Sequence, residues 1–333
     1  MRRLAPPACL LALAALSARA GELGACGDGR GIQTIVASSS TGAAVGSGIE
    51  RGVVVYLRGL SKADDRVIDM PYGAGLFAEP GGGRFALLKN ASVHLYSFSG
   101  FQRISKSSVK VLKDQSTIAW SWIEGTDDVA VFSQIAKSGL FDMGESKKTP
   151  YLLRFNIATG AGTQVQLQIP KDFLSATFDA KGERVAVGFW DGHVEVRSAM
   201  DGKLVASYSG HDNGSSAIGL AFHPRQNLVA SSAGDKVILF DLDTKSIRST
   251  KPSEDGTKLL QYVAEGQFLI GASVFNISLL DPEGRRLQTV HSEDSYQNFY
   301  VADPLRKVFS VRENLVCWNT FERWEKAPVV GKN

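Results

Sequence analysis

The sequence predicts an all-β fold, a seven-bladed β-propeller of four-stranded antiparallel blades. Three observations carry this expectation. A short apolar phrase returns seven times at near-even spacing, an alternating strand follows most copies about fifteen residues later, and no stretch beyond the N-terminus keeps a helical period.

The recurring phrase is an apolar strand, a polar or acidic residue, then a turn. Its copies run through Leu76-Phe77-Ala78-Glu79, Trp122-Ile123-Glu124, Ala176-Thr177-Phe178-Asp179, Leu220-Ala221-Phe222-His223, Tyr262-Val263-Ala264-Glu265 and Tyr300-Val301-Ala302-Asp303. Ile35-Val36-Ala37-Ser38 is a weaker first copy. From Ser38 through Asp303 the successive markers are 41, 45, 55, 44, 42 and 38 residues apart. The second register is a run of alternating strands: Val53–Tyr56, Val93–Tyr96, Val194–Arg197, Val237–Phe240, Ile277–Leu280 and Leu315–Trp318. In the third unit the matching strand, Leu152–Phe155, comes late and carries Arg154 where the others are apolar. Clusters such as Asp201-Gly202 and Asp281-Pro282-Glu283-Gly284 end the strands. A unit of roughly 40–45 residues with four short strands cannot cover both faces of its own sheet, so units must stack on one another.

One unit carries more than rhythm. Gly210-His211, Leu220 to Pro224, Leu228 to Ser231, Asp235 and Val237 to Asp241 resemble a WD40 repeat from end to end. That resemblance implies a structural hydrogen-bonded set in which His211, Ser231 and Asp235 take three of four positions. Phe240 stands where the family has Trp. Trp318-Asn319 is similar to the family's Trp-Asp pair in the last unit. WD40-like propellers mostly hold proteins together, so the resemblance implies a scaffold whose Ser, His and Asp are structural rather than a catalytic triad.

Residues 1–20 read as a secretion signal: Arg2 and Arg3, the apolar run Leu10–Leu16, then the small-x-small site Ala18-Arg19-Ala20. Residues 21–333 are then a single propeller domain, periplasmic or secreted. A lipoprotein signal ending at Cys26 is the alternative, and Arg19 and Glu22 suit it poorly. No other segment is apolar enough to span a bilayer. Without the three arginines of residues 1–20, the remaining 34 basic residues balance the 34 acidic ones. That removes any global pull toward nucleic acid, and the expected state is a monomer. Of the three cysteines, Cys9 lies in the signal, which leaves Cys26 and Cys317. They form a disulfide in an oxidising compartment or stay as unlinked thiols, with Cys317 buried.

The chain carries no zinc, calcium, P-loop, nucleophile-elbow or dinucleotide signature. The five histidines lie in different units. No catalytic residue, metal or cofactor is therefore expected, and His223 reads as a turn residue. The third unit is the longest, and its excess, Ser133 to Pro150, reads as a loop between second and third strands. Its Phe141, Met143, Lys147 and Lys148, with Phe189, Trp190 and His193 of the next unit, form an expected partner-binding rim. The alternative is that Trp190 packs on its blade and the loop is an insertion without a role. A second functional reading, a ligand or enzyme site in the central channel, would need titratable groups from several blades to converge. Arg154, His94 and Glu195 are its candidates, and they are expected not to meet.

Overall fold

The computed structural model describes residues 75–135, 149–211, 219–291 and 298–327, apart from 81, 90, 114, 170–172, 235, 254–256, 274, 292–297, 304–305 and 313–314, and the backbone of strands within 26–68. The expected secretion signal, Phe141, Met143, Lys147, Lys148 and Asp235 lie outside the described residues, as do the side chains of Cys26, Cys317 and Trp318.

The fold is an all-β propeller. Blade I is β6 (Gly75–Ala78), β7 (Arg84–Lys89), β8 (Ser92–Ser97) and β9 (Arg103–Ser108); blade II is β10 (Gln115–Trp122), β11 (Asp128–Ile135), β12 (Thr149–Asn156) and β13 (Gly162–Gln166). Blade III is β14 (Phe173–Phe178), β15 (Arg184–Phe189), β16 (His193–Ser198) and β17 (Leu204–Ser209). Blade IV is β18 (Gly219–Phe222), β19 (Leu228–Ala233), β20 (Lys236–Asp241) and β21 (Ser246–Pro252). Blade V is β22 (Leu259–Val263), β23 (Phe268–Ala272), β24 (Asn276–Leu280) and β25 (Arg286–His291). Each blade is an antiparallel meander in sequence order.

The expected count of seven blades is corrected to five. Two further backbone ladders stand outside that count. One is β2 (Ile32–Ala37) to β5 (Arg66–Ile68), through β3 (Ala43–Gly48) and β4 (Gly52–Tyr56). In the other, β1 (Cys26–Asp28) pairs with β28 (Leu315–Asn319), beside β27 (Lys307–Arg312) and β26 (Asn298–Ala302). A repeated strand phrase scores every ladder alike; the described side chains pack blades I to V face to face in sequence order, and blade V packs in turn on Val308 and Phe299 of the last ladder. In the last ladder Cys26 stands directly opposite Cys317.

Packing follows from strand position. Middle strands are buried on both faces: β7, β15 and β19 carry continuous buried runs. The outermost strands alternate or stay exposed, and β9 and β21 carry Lys106 and Lys251 with Pro252 at the end of β21. Charged and proline-bearing edges resist pairing with another chain. Trp122 is buried and Trp120 packs beside it against Phe77 of blade I.

Four of the marker residues take part in latches between neighbouring sheets. Arg84, five residues after Glu79, binds that carboxylate at 2.6 Å, reaches Asp127 of blade II at 2.9 Å and lies over the Trp122 ring. Arg184 repeats this after Asp179: Nε donates to Asp179 Oδ2 at 2.9 Å, Nη1 donates to Asn227 Oδ1 of blade IV, and the guanidinium covers Phe222. His223 turns its own segment, its Nδ1 accepting from the backbone N–H of Arg225 and Gln226, and its ring rests on Tyr262 of blade V. Asp303 accepts from the Ala264 N–H of blade V and from the indole of the fully buried Trp324 in α1 (Glu322–Glu325).

Candidate functional site

The turn between β15 and β16 presents the most distinctive side chain of the described surface. Trp190 is 58% exposed at its tip. The residue before it, Phe189, is 1% exposed and packs in the core with Phe132 and Phe173. Phe189 is therefore corrected from the partner-binding set: the last position of a middle strand is covered on both faces, so no partner can reach it. The turn itself is fixed. The Gly192 N–H donates to the Phe189 carbonyl at 3.1 Å, and Asp191 Oδ1 accepts from the His193 N–H. Gly192 has φ +78°, a conformation an L residue with a side chain resists. A large apolar ring on a hydrogen-bonded turn loses little freedom when a partner covers it.

His193 is half-buried, with Nδ1 2.9 Å from Ser209 Oγ and Nε2 3.8 Å from Glu195 Oε1. The order Ser, His, Glu invites a nucleophilic reading, but Glu195 is already taken by Arg197 at 2.7 Å. Arg197 also donates to the Gly202 carbonyl, so the acid serves to hold the outer strands of blade III together. Among the expected structural residues, His211 Nε2 and Ser231 Oγ lie 2.7 Å apart, and both residues are buried. Phe240, which stands where the resembled family has Trp, stacks on Tyr208, ring centroids 4.3 Å apart. Burial pushes the Tyr208 phenol well above its ordinary pKa.

The long segment of blade II narrows to residues 136–148, because Ser133 and Pro150 belong to β11 and β12. β11 ends and β12 begins at the same end of the blades as the Trp190 turn.

The first strands of neighbouring blades line a cavity of about 500 Å³ bordered by Phe178, Leu220, Phe222, Leu260 and Tyr262. Lys258 and Tyr262, both from the blade V side, are its titratable groups. Arg154, His94 and Glu195 do not converge there. Each sits on the third strand of its own blade, and Arg154 bonds Asp128 at 3.1 Å. His94 is buried; desolvation, then the positive charges of Lys106, Arg103 and Lys89, hold its pKa below the ordinary value. Among the described residues no group of three or more His, Cys, Asp or Glu could hold a metal ion. Among them, too, no helix is long and apolar enough to cross a membrane.

A chain of the mitotic checkpoint complex, known from a crystal structure, superposes with a TM-score of 0.67 and 11% identity over 97% of both chains. That likeness shows the fold alone. No family model matches the chain, and no curated protein does. With the four-stranded meanders, this likeness makes the fold a β-propeller.

Proposed function

We propose that this chain is an exported, non-catalytic scaffold that holds a protein partner on the loop face carrying Trp190. The observation that carries the reading is the pairing of an exposed tryptophan with a rigid turn anchored by buried Phe189. Partner hot spots favour a large aromatic side chain of this kind. The WD40-like fold supports the same reading, since such propellers commonly act as interaction scaffolds. Export rests on the Arg2-Arg3 start, the Leu10–Leu16 run and the Ala18-Arg19-Ala20 site. The charged edge strands β9 and β21 support a monomer. His193, Phe141, Met143, Lys147 and Lys148 are the proposed neighbours of Trp190 in the contact.

Capturing the partner from an envelope fraction with the full chain, and measuring the Kd of the purified pair, tests the proposal. Covering the exposed part of Trp190 is worth about 2–4 kcal/mol, so Trp190→Ala weakens binding by roughly thirty-fold or more. Lys203→Ala, at the other end of β16, leaves it unchanged. Equal affinities for the two variants and the wild type would refute the Trp190 contact.

A further inference from the structure

We propose that the cleft between blades IV and V binds a small oxyanion with a short apolar body, a carboxylate or a phosphate ester. The argument starts from a comparison of the two blades at equal ladder positions. In blade IV, Ser231 pairs with Ile238 and Val229 with Phe240. In blade V the same positions hold Gly271 opposite Ser278 and Leu269 opposite Leu280. Three of the four side chains have thus become smaller, Ser to Gly, Ile to Ser and Phe to Leu, while Val to Leu adds one methylene. Ser231 is covered by the buried imidazole of His211. Over Gly271 stands the smaller Thr257, whose Cγ2 lies 3.4 Å from where a Cβ would be. The connection entering blade V is also shorter, from Pro252 to Leu259 against Ser209 to Gly219.

The result is a cavity of about 270 Å³ with Gly271, Ser278 and Leu280 on its wall. The volume lies just below that of ordinary ligand pockets, roughly 300–1,000 Å³, so it suits a ligand of a few heavy atoms.

The chemistry of the wall selects the ligand. Val237, Pro252 and Leu280 give it an apolar side. Ser253, Thr257, Ser273 and Asn276 give it hydroxyl and amide groups, with Ser253 Oγ and Thr257 Oγ1 2.5 Å apart. The charged lining residues are Lys251, Arg285 and Arg286, and no carboxylate lines the cavity among the described residues. Arg285 leans toward Asp281, 4.0 Å away. The Lys251 stem runs across Gly284, 3.5 Å from its projected Cβ, which holds the cation beside the cleft. Cationic groups around small hydroxyls and an apolar wall recognise an oxyanion carrying a short hydrocarbon.

The site is independent of the Trp190 contact. Its test is a calorimetric titration of the full chain with butyrate, butyl phosphate and the neutral butyramide. At least one of the two anions binds at least tenfold more tightly than butyramide. Lys251→Met weakens that binding about tenfold, and Gly271→Val, which fills the cavity, abolishes it. Thermal melts of both variants within a few degrees of wild type keep the comparison valid; Gly271→Ala, whose Cβ meets ordinary contacts, replaces Gly271→Val if that variant melts lower. Failure of both anions to bind, binding of butyramide as tight as the anions, or unchanged binding in the folded variants would each overturn the proposal.

Discussion

Replacing Arg184 by Met removes a latch between blades III and IV while keeping an unbranched side chain about as long as the arginine's aliphatic stem. Asp179 is only 7% exposed at its side chain, against 28% for Arg184. Losing a charge-assisted bond to such a carboxylate costs about 1.5–3 kcal/mol. The guanidinium 5.4 Å above the Phe222 ring adds about 0.5–1 kcal/mol. The Glu183 and Arg184 backbone N–H groups still donate to Asp179 Oδ1, which offsets part of the loss. The expected net cost is about 2–3 kcal/mol. Arg154→Met is the internal control. Its ion pair with Asp128 is 36% and 29% exposed, and a pair at that exposure is worth below about 1 kcal/mol. Urea unfolding followed by tryptophan fluorescence reads both. A double-mutant cycle with Asn227→Ala, the hydrogen-bond partner in blade IV, isolates a cross-blade coupling of about 0.5–1.5 kcal/mol. Equal costs for the two arginine variants, or no coupling between positions 184 and 227, would refute the latch.

Gly266→Ala is expected to cost about 2 kcal/mol or more, because its φ is +90° and a Cβ would fall 2.4 Å from the His223 ring; urea midpoints measure it. Ser231→Ala leaves the buried His211 without its hydroxyl partner and should cost about 1–3 kcal/mol, whereas Ser207→Ala on the exposed face of β17 should change little. Stability should fall on acidification below about pH 6.5. The folded chain holds His94 and His223 below their ordinary pKa, chiefly by burial, so the unfolded chain takes up their protons first. The stability these two residues contribute is present above that pH and is lost as pH falls toward their folded values. His94→Gln should flatten the profile between pH 7.5 and 5, and an unchanged slope would show that His94 does not carry it.

Strand periodicity and turn composition placed the meanders correctly, because alternation and Gly or Asp turns are local properties of the chain. The His211–Ser231 bond was legible through the WD40-like unit. Reading of individual surfaces was less complete. Phe189 and Trp190 are neighbours of similar character, yet one is core and the other is solvent-facing. Only the end of β15 and the turn that follows separate them. The acidic markers at Glu79, Asp179 and Asp303 were visible as a rhythm, but their task was not. An arginine five residues after two of them, or the Trp324 indole, had to be seen in place. Blade count misled for a related reason, since recurrence registers every ladder alike. The cleft between blades IV and V has the weakest signal in the sequence, because it is defined by side chains that became smaller. Gly271 and Ser278 in a strand announce nothing until the large residues at the same positions of blade IV are set beside them.

Site-specific photocrosslinking tests the scaffold reading most directly. A benzophenone side chain at position 190, in the full chain expressed in its native cells, should yield one dominant adduct with a second protein. The same group at Lys203, on the opposite end of blade III, should yield none. Adducts of equal abundance from both positions, or none from position 190, would contradict the account.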